Sequence, residues 1–150
     1  MDNQQEAIEK LAQEFLDVLE VKAKAAVVGG EDGSYNVSVE GEDLGILIGF
    51  HGEALNALQL LLSLMVYRKF GAWFHILVDV GNYRSERNQK LSEIAERAAQ
   101  KARFLQKEID LRPMSSYDRR IIHSVVSKME GVKSSSEGEG KDRHVVVSPT

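Results

Sequence analysis

Arg119 and His123 stand four positions apart in a segment whose apolar residues recur at helical spacing, so both lie on one face, one turn apart. A guanidinium forks onto phosphate oxygens or stacks on a base, and an imidazole adds a flat ring and a donor. Arg120 and Lys128 widen this into a small basic face. The same spacing also describes an ordinary exposed helix face, with an ion pair to Asp118 or Glu130. A second constellation lies upstream, in Gly49-Phe50-His51-Gly52. Paired glycines let the backbone turn sharply and approach a ligand closely, because neither carries a Cβ. The helix that follows aims its free N–H groups over the loop, which favours an anion such as a phosphate. Further on, Arg84 and Arg87 continue the line of Leu91 and Ile94 on a long helix. They either line a groove between two domains or pair with acids of the first half.

Other chemistries find little support. The chain has no cysteine, so disulfides and thiolate metal sites are excluded. The four histidines show no metal-ligand spacing; His75 and His144 sit in strand-like runs and are expected to pack structurally. There is no nucleophile elbow and no Walker loop. No carboxylates are placed as an acid/base pair or a metal cluster. No catalysis, cofactor or metal is expected.

The elements that would position these residues can be read from periodicity. Ala7, Leu11, Phe15, Val18 and Leu19 mark an amphipathic first helix. Residues 21–28 read as a strand, Gly29 to Gly33 as a hairpin turn, and Tyr35, Val37 and Val39 as the returning strand. The Gly29–Gly33 cluster is a poor phosphate loop, since it holds two acids and no helix follows. Residues 44–48 form a short helix, 49–52 the loop, and 53–68 a helix apolar on most of its circumference and so expected to be buried. Residues 72–80 close the first module as a strand, giving α-β-β-α-α-β. After Gly81-Asn82 comes a helix over 83–107, with Leu91, Ile94, Ala95, Ala98, Ala102 and Leu105 inward. A short strand at 109–111, a serine-capped helix over 118–130 and a hairpin of 132–136 with 144–147 complete the chain.

Charge divides unevenly. Residues 1–80 hold 5 Lys/Arg against 13 Asp/Glu, whereas residues 81–150 hold 14 against 10. Attraction for phosphates should therefore come from the second half. The N-terminus has no signal-peptide pattern. The longest apolar run, 60–66, is too short to span a bilayer. A cytoplasmic protein without direct membrane insertion is expected.

Several motifs together resemble a known family. A GXXG loop between two helical segments, after two strands, is the mark of the KH module. Arg119-Arg120-Ile121-Ile122-His123, preceded by Arg112-Pro113-Met114 and Tyr117, resembles the signature of a small single-stranded nucleic-acid-binding domain, the RxxxH domain, named for an arginine and a histidine separated by three residues. Ser136-Glu137-Gly138-Glu139-Gly140 and Arg143-His144-Val145-Val146-Val147 resemble its end, and Asp79-Val80-Gly81-Asn82-Tyr83-Arg84 resembles the junction between KH and RxxxH domains in the bacterial Jag family, also called KhpB or SpoIIIJ-associated proteins.

The resemblance implies an α+β fold: a type II KH domain over residues 1–81, then a small RxxxH domain over 82–150 with a long leading helix. It implies a cytoplasmic RNA-binding regulator of cell elongation, envelope synthesis and division, with a small KH-only protein, KhpA, or a second copy as partner. Two departures stand out. The separate N-terminal Jag domain of many members has no counterpart here. The loop carries Phe50 and His51 where the family usually has a Lys or Arg, so it lacks a fixed cation. Phe50 either stacks on a base or belongs to a protein interface. Single-stranded RNA, or single-stranded DNA, is the expected ligand, with Gly49, Phe50, His51, Gly52, Arg84, Arg87, Arg119, Arg120 and His123 as contacts. The alternative is an interaction adaptor whose KH half forms a dimer. Replacing Gly49 or Gly52 by Asp is expected to block the loop with the fold retained.

Overall fold

Asp2 accepts a hydrogen bond from the Gln5 amide and caps the first helix, α1, Asn3–Val18. The computed structural model describes residues 2–150, and the chain divides into two compact units, one ending at Arg84 and one beginning at Ser85. In the first unit α1 buries Ile8, Ala12 and Leu16, flanked by Leu11 and Phe15. The core line is thus rotated from the one expected: Val18 and Leu19 are exposed at the helix end. A polar line on α1 explains the rotation. Gln5, Glu9 and Gln13, spaced one turn apart, bond to backbone groups of Ala23, Ala25 and Val27. They satisfy the open edge of β1, Ala23–Gly29, which would otherwise template further pairing.

β1 pairs antiparallel with β2, Tyr35–Gly41, and β2 pairs parallel with β3, Ile76–Val80, in the order β1-β2-β3. A parallel pair needs a crossover. Here it is made by α2, Gly45–Ile48, the GXXG turn, and α3, Glu53–Phe70. This is the α-β-β-α-α-β order of a KH-type domain. Tyr35, Val37, Val39, Ile76, Val78 and Val80 alternate inward and meet Leu55, Leu58, Leu62 and Val66 of α3.

The opposite face of α3 is not buried. Leu60, Leu61, Leu64 and Tyr67 are exposed, and Trp73 stacks on Tyr67 with ring centroids 4.4 Å apart. The expectation of a buried helix fails because a small sheet covers only one side of it. By length and composition alone, Gly45–Phe70 is apolar enough to cross a membrane. The unbroken helix has 18 residues, however, and the turn before it contains left-handed backbone at Gly49, His51 and Gly52.

In the second unit, α4, Tyr83–Leu105, buries Leu91, Ala95, Ala98, Ala99 and Ala102, while Leu105 is exposed. α5, Ser116–Val126, is capped by the Ser115 hydroxyl, which accepts from the Asp118 amide, and it buries Ile122 and Val126. The sheet has the order β4-β6-β5, formed by β4, Ile109–Asp110, β5, Val132–Glu137, and β6, His144–Pro149, all antiparallel. Val145 and Val147 face the helices.

The GXXG glycines are required by their own domain. Gly49 has φ +71°, and a Cβ there would lie 2.9 Å from the Ala54 nitrogen. Gly52 has φ +83°, and a Cβ would lie 2.9 Å from the Tyr83 ring. Aspartate at either site therefore strains the fold, contrary to the expectation that the fold would be retained. Gly49→Ala should destabilise the protein by about 1–3 kcal/mol in urea unfolding. Gly45→Ala, where a Cβ meets nothing within 4 Å, should be neutral or slightly stabilising.

Candidate nucleic-acid interface

α5 carries Arg119 and His123 toward β5 rather than straight into solvent. His123 Nδ1 lies 2.7 Å from the Ser134 hydroxyl and Nε2 2.8 Å from the Ser136 hydroxyl. Arg119 donates from Nε to the Met114 carbonyl at 3.3 Å and from Nη1 to the Ser136 hydroxyl at 3.3 Å. Both side chains are half-buried. Ser134 and Ser136 sit opposite Val147 and Val145 of β6, so they share the helix-facing side of the sheet. Spacing along α5 could not reveal these serines. Their signal was the alternation of the 134–136 serine run on a strand.

The geometry decides what each group offers a ligand. Both imidazole nitrogens of His123 are engaged, so it presents its ring rather than a free donor. Arg119 uses two of the five N–H groups that a guanidinium carries, and no hydrogen bond within the described residues engages Nη2. Its alternative role in an ion pair with Asp118 is not realised, because Asp118 is held by Arg87. Arg87 Nη2 donates to Asp118 Oδ2 at 2.7 Å, with the Asp118 side chain only 1% exposed. Burial and the neighbouring Arg119 charge both push the His123 pKa below its ordinary value. His123 is therefore neutral at neutral pH, and the positive charge of the pair resides on Arg119.

The other sequence candidates are dispersed. Arg120 is exposed on α5. Arg87 serves Asp118, within its own unit. Arg84 is fixed in the first unit, donating from Nε to the Val78 carbonyl at 2.8 Å and from Nη2 to Gln59 at 2.9 Å. Among the described residues, neither guanidinium forms an ion pair with an acid of the first half, although the Arg84 amide donates to Asp79 Oδ1 at 3.2 Å. In the GXXG turn, Phe50 is exposed and its ring stacks on His51 with centroids 3.8 Å apart. Gly49, Phe50, His51 and Gly52 thus present an aromatic pair above the N-terminus of α3, which no side chain caps.

Of the two histidines expected to pack structurally, His75 is instead exposed, and its carbonyl accepts from the Tyr35 amide. His144 is half-buried, bonded through Nδ1 to the Asp142 carbonyl, with Nε2 3.7 Å from Asp110. Asp110, Glu137 and His144 offer ligand atoms all within 4.8 Å of one another, on neighbouring strands where sequence spacing could not show them. Both carboxylates are solvent-exposed.

Comparison with known proteins follows this division. Residues 5–76 match the family described as KhpA/KhpB, KH domain, and residues 89–149 match the family of the RxxxH domain. The RNA-binding protein KhpB of Clostridium symbiosum is 36% identical over 146 residues, covering 97% of this chain and 65% of that protein. The RNA-binding protein KhpB of Bacillus subtilis is 39% identical over 112 residues, covering 73% and 54%. The protein of that name from Streptococcus pneumoniae strain D39 is 35% identical over 114 residues, covering 76% and 35%. The chain thus spans less than two thirds of each of these relatives.

The lowered His123 pKa gives a pH dependence. Below the unfolded value of 6.5, the unfolded chain binds a proton that the folded ring resists, so stability is present above that pH and falls as pH drops toward the folded pKa. Thermal unfolding across this window should show a smaller acid loss for His123→Gln than for the parent chain. Identical slopes would contradict the assignment.

Proposed function

This chain belongs to the KhpB family, and we propose that it binds single-stranded RNA through the Arg119–His123 face of its second domain, without catalysis. The observation that carries the reading is the serine-held pair itself. A half-buried arginine keeps free N–H groups beside an imidazole whose ring is locked in place. Such a pair suits a phosphate oxygen together with a stacked base. The positive balance of residues 81–150 supports it, as does the naming of the relatives as RNA-binding proteins. Arg120 adds attraction at the edge. The GXXG loop contributes through backbone N–H groups and the Phe50–His51 rings, in a domain whose acidic balance opposes phosphate approach. In keeping with the family resemblance, the process served is regulation of cell elongation and division in the cytoplasm.

Arg119→Ala should weaken binding to a short single-stranded RNA by roughly 1–3 kcal/mol in fluorescence anisotropy. Arg119→Ala combined with Arg120→Ala should also flatten the salt dependence. Equal affinity and equal slope would remove this assignment.

A second reading, compatible with the first, is favoured by the exposed side of α3. Leu60, Leu61, Leu64 and Tyr67, with Trp73 stacked alongside, form an apolar face on the acidic domain. We assign it as the docking surface for a small KH-only partner or a second copy, a better anchor than Phe50 alone. Leu61→Glu with Leu64→Glu should abolish self-association or partner association in sedimentation while leaving RNA affinity intact. Unchanged association would sink it.

A further inference from the structure

Away from the helix face that holds His123, the second unit contains an open groove of about 560 Å³ between α4 and the segment joining β4 to α5. That volume lies within the range of small-ligand sites, roughly 300–1,000 Å³, so it can admit a base with its sugar. Its lining is apolar below and cationic above. Ile94 and Met114 contribute to the floor, while Arg97 and Lys101 of α4 and Arg112 of the connecting segment stand exposed around it. One acid, Asp110, shares the lining. Three cations against one carboxylate over an apolar floor is a surface complementary to a polyanion with flat apolar parts. No ion pair within the described residues engages these cations.

The groove also joins the Arg119 site physically. Met114 lines it, and the Met114 carbonyl is the acceptor for Arg119 Nε. One end of the groove therefore lies at the residue that anchors the guanidinium. Arg112-Pro113-Met114, conspicuous in the sequence, falls at this junction, and Arg119 engages it through the Met114 carbonyl.

We propose that this groove is a second nucleotide-binding subsite, in which the single strand held at Arg119 and His123 continues, its phosphates on Arg97, Lys101 and Arg112 and a base against the apolar floor. The inference rests on the RNA-binding reading, and its test separates the two. The probes are fluorescently labelled oligouridylates at the short and long ends of the ~4–16 nucleotide range of single-stranded sites. The variants are Arg97→Gln with Lys101→Gln, and Arg112→Gln, all at exposed positions where the fold is kept, as circular dichroism would confirm.

The long probe should lose about tenfold in affinity with Arg97→Gln and Lys101→Gln, and its log–log salt slope should flatten by about 1.4, at ~0.7 per phosphate contact on a single strand. The short probe should change less than about twofold, since it is held at Arg119. Arg97→Lys with Arg112→Lys should retain the slope. Lys107→Gln with Lys133→Gln, an equal charge loss at exposed positions off the groove and off the Arg119–His123 face, should have a clearly smaller effect. An unchanged long probe, or an equal loss with the Lys107 and Lys133 control, would overturn the groove while leaving the Arg119 reading standing. If Arg119→Ala changes neither probe, the Arg119 reading fails, whatever the groove variants do.

Discussion

The ion pair between Arg87 and Asp118 sets the geometry of the second unit. Asp118 lies in the first turn of α5 with its carboxylate removed from water, and Arg87 of α4 is its partner at 2.7 Å. A buried carboxylate left alone is costly, and removing one member of such a pair typically costs about 3–5 kcal/mol. The pair therefore fastens α5 to α4 at the residue next to Arg119. It also takes Asp118 out of reach as a counter-charge. Arg119 then turns to Met114 and Ser136, neutral acceptors that hold its position without cancelling its charge. Among the described residues Arg87 Nε is buried without a hydrogen-bond partner. Desolvation of that donor offsets part of what the pair gains, and the pair's clearest effect is to position α5.

What could be read from the sequence was whatever repeats with the period of its element. The alternation of Tyr35, Val37 and Val39 placed β2, and the glycine-rich turn placed the hairpin with β1. The Ser115 cap marked the start of α5. Partners between distant segments were not legible. From its spacing Arg87 reads as lining a groove between domains or pairing with acids of the first half, because nothing local reveals that Asp118 is buried 31 positions away. Likewise, α3 is apolar nearly all round, and only the narrowness of the sheet decides that Leu58 goes in while Leu60 and Leu61 stay out. On α1 the line was misjudged because its deciding residues are polar: Gln5, Glu9 and Gln13 close the β1 edge, and a hydrophobic pattern cannot register that.

The GXXG turn shows how a motif can serve two ends. Its glycines invite a ligand reading, yet Ala54 and Tyr83 already occupy the space a side chain would need. The same compactness leaves the N-terminus of α3 without a side-chain cap. Intrinsic donors therefore remain available, while the fixed cation that would draw a phosphate to them is lacking. The Phe50–His51 stack and the acidic balance of the domain shift its weight toward contacts between flat or apolar surfaces.

In the proposed binding mode, positioning and attraction are carried by different residues. His123 is held at both nitrogens and Arg119 at two, so these side chains surrender little freedom when a strand arrives. Contacts of this kind set register and orientation. Arg97, Lys101 and Arg112 are exposed, and a contact with them brings counterion release at the expense of side-chain entropy. Their contribution must weaken with salt faster than that of the serine-held pair. A domain built this way can draw in any single strand at long range, yet hold it in one register only where Arg119 and His123 meet β5.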